Sequence, residues 1–469
     1  MTKTDNTSAA LPTHEELPDR LLPCFSETDF REAAKLKDGQ RLKTNHYLVT
    51  VIENVLETAR QQQCGLCMHN GSVYLYNGAF WKQVEESAVK DFLGSAAERM
   101  GINPFDARFH LFKEQLYRQF LSSAKSPKKA RQKGTVLVNL QDGTFEISPR
   151  FIGLREFREE DFMTYQLSFG YDEGAQAPLF LRYLDQVLPD AEKQAVVSEY
   201  LGYVFVDQTV LKLEKVLFCY GTGANGKSVL FEVSTALLGL SNVCSYSMQS
   251  ITDQNGYSRA MLGDKLLNYA SELSSRLDPN VFKQLTSGEP IEVRLPYKEP
   301  AILHSYAKLL FNCNELPRDI EHTDAFFRRL LIVEFDRTIP DEEQDRQLAS
   351  KIIASELSGV FNWILQGLRR LMDRKRFSHC EAAKAQVALY KKESDSVQMF
   401  LEENGYRPSN EKCLALKEIY SSYRSFCQED GYRPLNCTNF KKRLSGAGVQ
   451  VVRRNSGWVV YLEMVAAEI

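Results

Sequence analysis

Gly221 to Ser228 reads GTGANGKS, and the chain changes character on either side of it. Ahead of it, Val216 to Tyr220 is an unbroken apolar run, VLFCY, of the length of a buried strand. From Lys227 onward, apolar residues fall at helical spacing (Val229, Phe231, Val233, Leu237, Leu238). A glycine-rich turn from a buried strand into a helix points to an α/β fold. It also fits the phosphate-loop template G-x-x-x-x-G-K-[ST], in which backbone N–H groups wrap phosphate at a helix N-terminus. The predicted nucleotide-contacting set is Gly221, Thr222, Gly223, Ala224, Asn225, Gly226, Lys227, Ser228 and Val229, with ATP as ligand. Lys227 would neutralise the β- and γ-phosphates, and Ser228 would hold Mg²⁺. Alone, the template does not separate kinases, switches, transporters, packaging motors and helicases.

Hydrolysis needs a carboxylate for water, a polar sensor of the γ-phosphate and a cation for transition-state charge. Each has a candidate downstream. KLLNYASEL is an apolar run ending in Ser271-Glu272, AKLLFNCNELP ends in Asn314 before Pro317, and DAFFRRLLIVEF places Arg328 and Arg329 before another run. With VLFCY and NVCSY these make five strand-sized runs separated by helical patterns, read as a largely parallel sheet. Ligands in such sheets bind outside the strand ends on the loop's side.

The chain divides on composition into a disordered tail (1–20), an α+β region (21–134), a second region (135–210), the nucleotide core (211–345), a helical extension (346–390) and a C-terminal domain (391–469). In the first region SVYLYNGAFWKQV reads as two strands joined at Asn77-Gly78, and in the second region Asp142-Gly143 marks another turn. Cys64 and Cys67 lack the second ligand pair that zinc requires and read as free thiols. Tyr74, Tyr76, Phe80 and Trp81 read as core, and the basic run Lys125 to Lys133 reads as a solvated linker. In the last domain three helical patterns, the third capped by Thr438, precede a two-stranded ribbon, the order of a winged-helix module. Between Gly431 and Leu462 there are six Lys or Arg and no Asp or Glu. Lys441, Lys442, Arg443, Arg453 and Arg454 fall in the third helix and ribbon, the expected duplex-DNA contacts.

Taken in order, GTGANGKS, ASEL, FKQLTSGEPIEVRLPYKEP, LLFNCNELP and DAFFRRLLIVEF resemble the superfamily-three DNA helicases of phages, plasmids and large DNA viruses, in the primase-associated poxvirus and phage branch. The resemblance covers about residues 135–340, with a matching tail, and makes 135–210 the linker domain before the motor. It implies an AAA+-like ATPase core with a winged-helix domain, acting as a ring, commonly a hexamer. Glu272 takes the catalytic carboxylate's place; Ser271 stands where many members have a second acid, leaving Mg²⁺ to Ser228 and, through water, Glu272. Asn314 takes the sensor's place, and the Arg pair that of a finger acting on the neighbouring subunit's ATP, with Arg329 favoured over Arg328. SGEPIEVRLPYKEP becomes the hairpin that grips single-stranded DNA, with Lys283, Arg294 and Lys298 as the cations.

With a net charge of −3, nucleic-acid contact must come from such local patches. No run approaches the roughly 18 apolar residues of a membrane span, and the scattered cysteines suit a reducing compartment, here a bacterial host's cytoplasm. The resulting expectation is an ATP-dependent replicative helicase acting on single-stranded and forked DNA, with any primase or origin-binding protein on another chain. An ATP-switched initiator that does not unwind processively, or a different phosphate-loop enzyme, remain as alternatives.

Overall fold

The computed structural model describes residues 11–69, 71–125, 134–271, 277–296, 299–317, 320–455 and 457–464. The expectations placed on Glu272, on Lys298 and on 126–133 lie outside the described residues. The chain forms two compact units that meet in sequence between Tyr171 and Asp172. Residues 135–171, expected to open a second region, fall in the first unit, where the strands Val136–Asn139, Thr144–Ile147 and Ile152–Arg155 form an antiparallel sheet of their own and the Asn139 amide donates to the Ala79 carbonyl at 3.2 Å.

In that first unit, the helices Thr44–Gln61, Glu86–Arg99 and His110–Ser123 bury a common core that includes Ile52, Val55, Leu93 and Phe120. A second antiparallel sheet, Gly65–His69, Ser72–Tyr76 and Trp81–Val84, turns at Asn77, whose side-chain oxygen accepts from the N–H groups of Ala79 and Phe80 at 3.0 Å each. Tyr74, Tyr76 and Trp81 pack with Cys67 and Phe162, and burial pushes the Cys67 thiol up to about 12. Part of the segment expected to be a disordered tail is folded. Leu17 and Leu21 of the short helix Leu17–Leu21 are buried, Leu17 beside Ala59 and Leu75, because the apolar pair gives the segment a face to dock.

The second unit is built on five strands: β1 Val216–Tyr220, β2 Val243–Cys244, β3 Leu267–Ala270, β4 Lys308–Cys313 and β5 Leu330–Glu334. They form one sheet in the order β5-β1-β4-β3-β2, and every pairing is parallel. β1 is buried along both faces until Tyr220, as in sheets covered on both sides. Val216, Phe218, Phe311 and Ile332 share one core with Phe282, Phe326 and Tyr390. The strand order reverses at β1: the chain goes from it to the far edge at β2, works back through β3 to β4, and then crosses to β5 on β1's other side. Such reversals open a crevice at the carboxyl ends of the strands.

Two segments far apart in sequence brace this sheet. The helix Leu357–Arg374 lies against Ala191–Tyr203, and a Cβ on Gly367 would sit 2.5 Å from the Ser198 carbonyl carbon. Buried Glu199 accepts from Arg370 Nε at 2.8 Å and from the Ser378 N–H at 2.7 Å. Glu356 caps the helix Pro178–Val187 through the N–H groups of Leu179 and Phe180, both at 3.0 Å.

At the C-terminus, the helices Ser396–Glu403, Leu416–Glu429 and Cys437–Gly446 enclose Phe400, Tyr423, Phe440 and Leu444. The ribbon Val451–Arg454 with Gly457–Val460 closes this core. The third helix starts earlier than read. Asn436, not Thr438, is its cap and accepts from the Asn439 N–H at 2.9 Å, since both residues suit the role and the chain enters at the first.

Candidate active site

The glycine loop leaves β1 at the carboxyl end of the sheet and enters the helix Lys227–Leu238. Gly226 adopts φ +83°, and a Cβ there would lie 2.6 Å from Val187 Cγ1 and 3.0 Å from a Tyr183 ring carbon. Only glycine fits this position, on backbone conformation and on space alike. Tyr183 also donates its hydroxyl to the Gly226 carbonyl at 2.9 Å. Ala224 is left-handed at φ +47°, an uncommon state for a residue with a Cβ, and its carbonyl is held by the Ile339 N–H at 2.8 Å. Asn225 is buried and ties the loop to the end of β5 through the Phe335 carbonyl at 3.1 Å.

These restraints leave the inner surface of the loop with donors to spare. The N–H groups from Thr222 to Ser228 make no hydrogen bond with the described residues. Lys227 is 7 % exposed and folds back, donating to the Gly221 carbonyl at 2.7 Å and to Asn225 Oδ1 at 2.8 Å. Both partners are neutral, and burial pulls the Lys227 ammonium below the ordinary lysine range. Among the described residues this buried cation has no carboxylate partner, and together with the row of free N–H groups it makes a surface that can receive an anion. The Ser228 hydroxyl is exposed at the first turn of the helix, open to a metal ion.

The neighbouring strand ends form the rim. Cys313 and Glu334 stand in register with Tyr220, so Asn314 emerges level with Gly221, exposed. Ala270 pairs with Phe311, so Ser271 leaves β3 on the same side. Asn312, inside β4, was missed by the sequence reading. It is buried, accepts from the Tyr269 hydroxyl at 3.0 Å and points its amide at the Lys227 carbonyl at 3.5 Å. Its signal was a polar residue within the apolar run LLFNC. Tyr183, which shapes Gly226 from another helix, left no local signal.

The two arginines lie elsewhere. The Arg329 carbonyl accepts from the Val216 N–H at 2.9 Å, which puts the pair at the amino end of the sheet. One strand length, about 17 Å, separates it from Gly221. The two differ sharply. Arg329 is 6 % exposed, bonded to the Ala325 carbonyl, to Ser287 Oγ at 2.8 Å and to Glu214 at 3.2 Å. Arg328 has a side chain 64 % exposed and shares Glu214 at 3.2 Å. The reading that favoured Arg329 as the residue reaching another molecule conflicts with its burial; Arg328 is the one presented outward.

The proposed DNA-facing cations do not form one set. Ile291–Val293 and Ala301–Leu303 make the expected antiparallel hairpin, and Arg294 is exposed just beyond the first strand. Lys283 sits on the helix Pro279–Ser287 and is neutralised by Glu321 at 2.8 Å. In the C-terminal module Lys441 lies over the Trp458 ring at 4.0 Å, while Lys442 and Arg453 are exposed. Arg454 bonds the Tyr461 hydroxyl at 2.6 Å. Arg443 is held by Asp395 at 3.3 Å, which turns it toward the first helix of the module.

A family described as of unknown function (DUF5906) matches residues 219–329, and one described as poxvirus D5 protein-like matches residues 392–453. Among solved structures, the A form apo structure of the NrS-1 C-terminal region, 305–718, is similar at a TM-score of 0.50 and 10% identity, covering 87% of this chain and 98% of that one. Another apo structure of the same region gives 0.49 and 12% identity over 88% and 98%. The first likeness shows a shared mixed α/β fold. Among the described residues, no helix is long and apolar enough to cross a membrane.

Proposed function

We propose that this chain is an ATP-dependent DNA helicase of a phage, prophage or other mobile element, working as a ring in which each ATP site is shared by two copies. The observation that carries the reading is the split between the ends of the sheet. The phosphate-loop groups gather at the carboxyl end, and the exposed Arg328 lies a strand length away at the other. Arg328 cannot serve its own loop, so it serves a neighbour's.

In this reading Lys227 leaves its two neutral acceptors for the β- and γ-phosphates of ATP, and the free N–H groups of Thr222 to Ser228 close around them. Ser228 holds Mg²⁺, which when bound draws charge off the phosphate oxygens. Glu272 directs the attacking water and Asn314 orients it at the γ-phosphate. Arg328 of the next copy meets the charge that develops in the transition state. Arg294 on the hairpin follows the single strand, and Lys441, Lys442 and Arg453 hold duplex through phosphate contacts on a winged-helix module. The poxvirus D5 protein-like match over this module supports placing the chain near viral proteins.

Strand displacement on a forked DNA tests the reading. Wild type separates the strands with ATP and Mg²⁺, and Lys227→Ala does not. DNA-stimulated hydrolysis without displacement would overturn the helicase reading in favour of an initiator that uses ATP only to order its assembly.

A further inference from the structure

At the amino end of the sheet, beside Arg328, opens a cavity of about 700 Å³. Its floor is apolar, with Phe327, Leu330 and Phe377 among the lining residues. Its cations are Lys215, Arg328, Arg374, Arg376 and Lys384, and among the described residues no Asp or Glu lines it. The nearby carboxylates are engaged outside the lining, Glu214 with Arg328 and Arg329 and Glu381 with His379 at 2.9 Å. Arg376 has no partner among the described residues, and Arg374 donates only to the neutral Ser378 hydroxyl at 2.8 Å. Burial and the adjacent Arg328 hold Lys215 below its ordinary range, so an anion entering here is favoured.

Beside the glycine loop, the carboxyl end presents an acidic turn. Asp341–Glu343 form a short exposed turn, two residues past the Ile339 N–H that holds the glycine loop at Ala224. Asp341 accepts from the Gln344 amide at 2.9 Å and Glu343 from the Gln186 amide at 3.5 Å, while Glu342 has no partner among the described residues. None of the three carboxylates is paired with a described cation. Pro340, exposed at the head of the turn, offers apolar surface.

We propose that the cationic cavity receives the Asp341–Glu343 turn of a second copy of this chain, so that copies join head to tail. The proposal rests on the shared-site reading: when Arg328 meets the neighbour's glycine loop, the turn beside that loop comes opposite the cavity beside Arg328. The contact is heterologous, the kind that closes into a ring. Charge complementarity of this sort fixes register and speeds encounter, and it weakens as salt rises.

Sedimentation velocity with a non-hydrolysable ATP analogue tests it on the full chain, using Glu342→Lys/Glu343→Lys and Arg376→Glu/Lys384→Glu. Each double variant should assemble at least ~10-fold more weakly than wild type. An equal mixture of the two should recover to within about threefold of wild type, since each reversed turn then meets a reversed cavity. Fluorescent ADP binding should be unchanged in both, which shows that fold and loop are intact. If either variant assembles normally, or the mixture fails to recover, the docking is overturned while the shared-site reading stands. A wild type that stays monomeric with nucleotide at every concentration overturns both. Loss of DNA affinity in Arg376→Glu/Lys384→Glu without loss of assembly also overturns it, and gives the cavity to nucleic acid.

Discussion

Arg328 and Arg329 share one carboxylate and have opposite surroundings. Arg329 lies inside, where its loss leaves Ser287 and part of the Glu214 charge without a partner. Arg329→Ala should therefore destabilise the fold by about 2–4 kcal/mol, read as a lowered midpoint in urea unfolding. Arg328→Ala should leave the unfolding free energy within about 0.5 kcal/mol of wild type and, on the proposed shared site, cut ATP hydrolysis by ~10³-fold. Spacing alone could not tell the two apart, since adjacent residues before a strand differ only in which way the chain turns them. The glycines of the loop were legible because left-handed backbone and a close neighbour leave few other residues, whereas Asn312 and Tyr183 act through contacts that only the folded sheet creates. Lys308 carries a pH signature of its own. Burial lowers it from 10.5 to about 8, and its ammonium lies 4.4 Å over the Tyr203 ring. Below about 8 both folded and unfolded chains hold the proton, and the buried charge opposes folding. Between 8 and 10.5 the unfolded chain binds more protons, so stability contributed at this site rises with pH. Lys308→Met should be more stable than wild type at pH 7, and the gap should close by pH 10.5 in denaturant melts.

Secondary elements were read from the sequence where a period or an apolar run defined them locally. All five strands of the parallel sheet, the hairpin after Gly288 and the three C-terminal helices belong to this class. What the sequence did not show was which elements grip each other. Leu357–Arg374 and Ala191–Tyr203 lie far apart in the chain, yet Gly202 and Gly367 let their backbones approach, with a Cβ on Gly202 only 2.7 Å from Leu368 Cβ. Long-range packing of this kind leaves no trace in a short window. Gly367→Ala places a methyl group against the backbone of Ser198 and Glu199, where neither can retreat without moving a helix. It should lower stability by about 1–3 kcal/mol despite the better helix propensity of alanine. Thermal unfolding followed at 222 nm checks this, and an unchanged midpoint would mean that the two helices are not pressed together.

A net charge of −3 conceals local patches in the second unit, with the exposed carboxylates of Asp341–Glu343 beside the glycine loop and the cavity's cations at the other end of the sheet. Composition averages this away, and only the parallel order of the strands assigns each group to an end. On the proposed shared site, the same order separates loop from finger and leaves a single copy chemically incomplete. Mixing two inactive variants tests this most directly. Lys227→Ala lacks a working loop but keeps Arg328, and Arg328→Ala lacks the finger but keeps the loop. Each alone should hydrolyse ATP at near-background rates. In an equal mixture, roughly a quarter of head-to-tail contacts pair an intact loop with an intact finger, so about a quarter of wild-type hydrolysis should return. No recovery on mixing, or full activity of Arg328→Ala by itself, would contradict a site shared between copies.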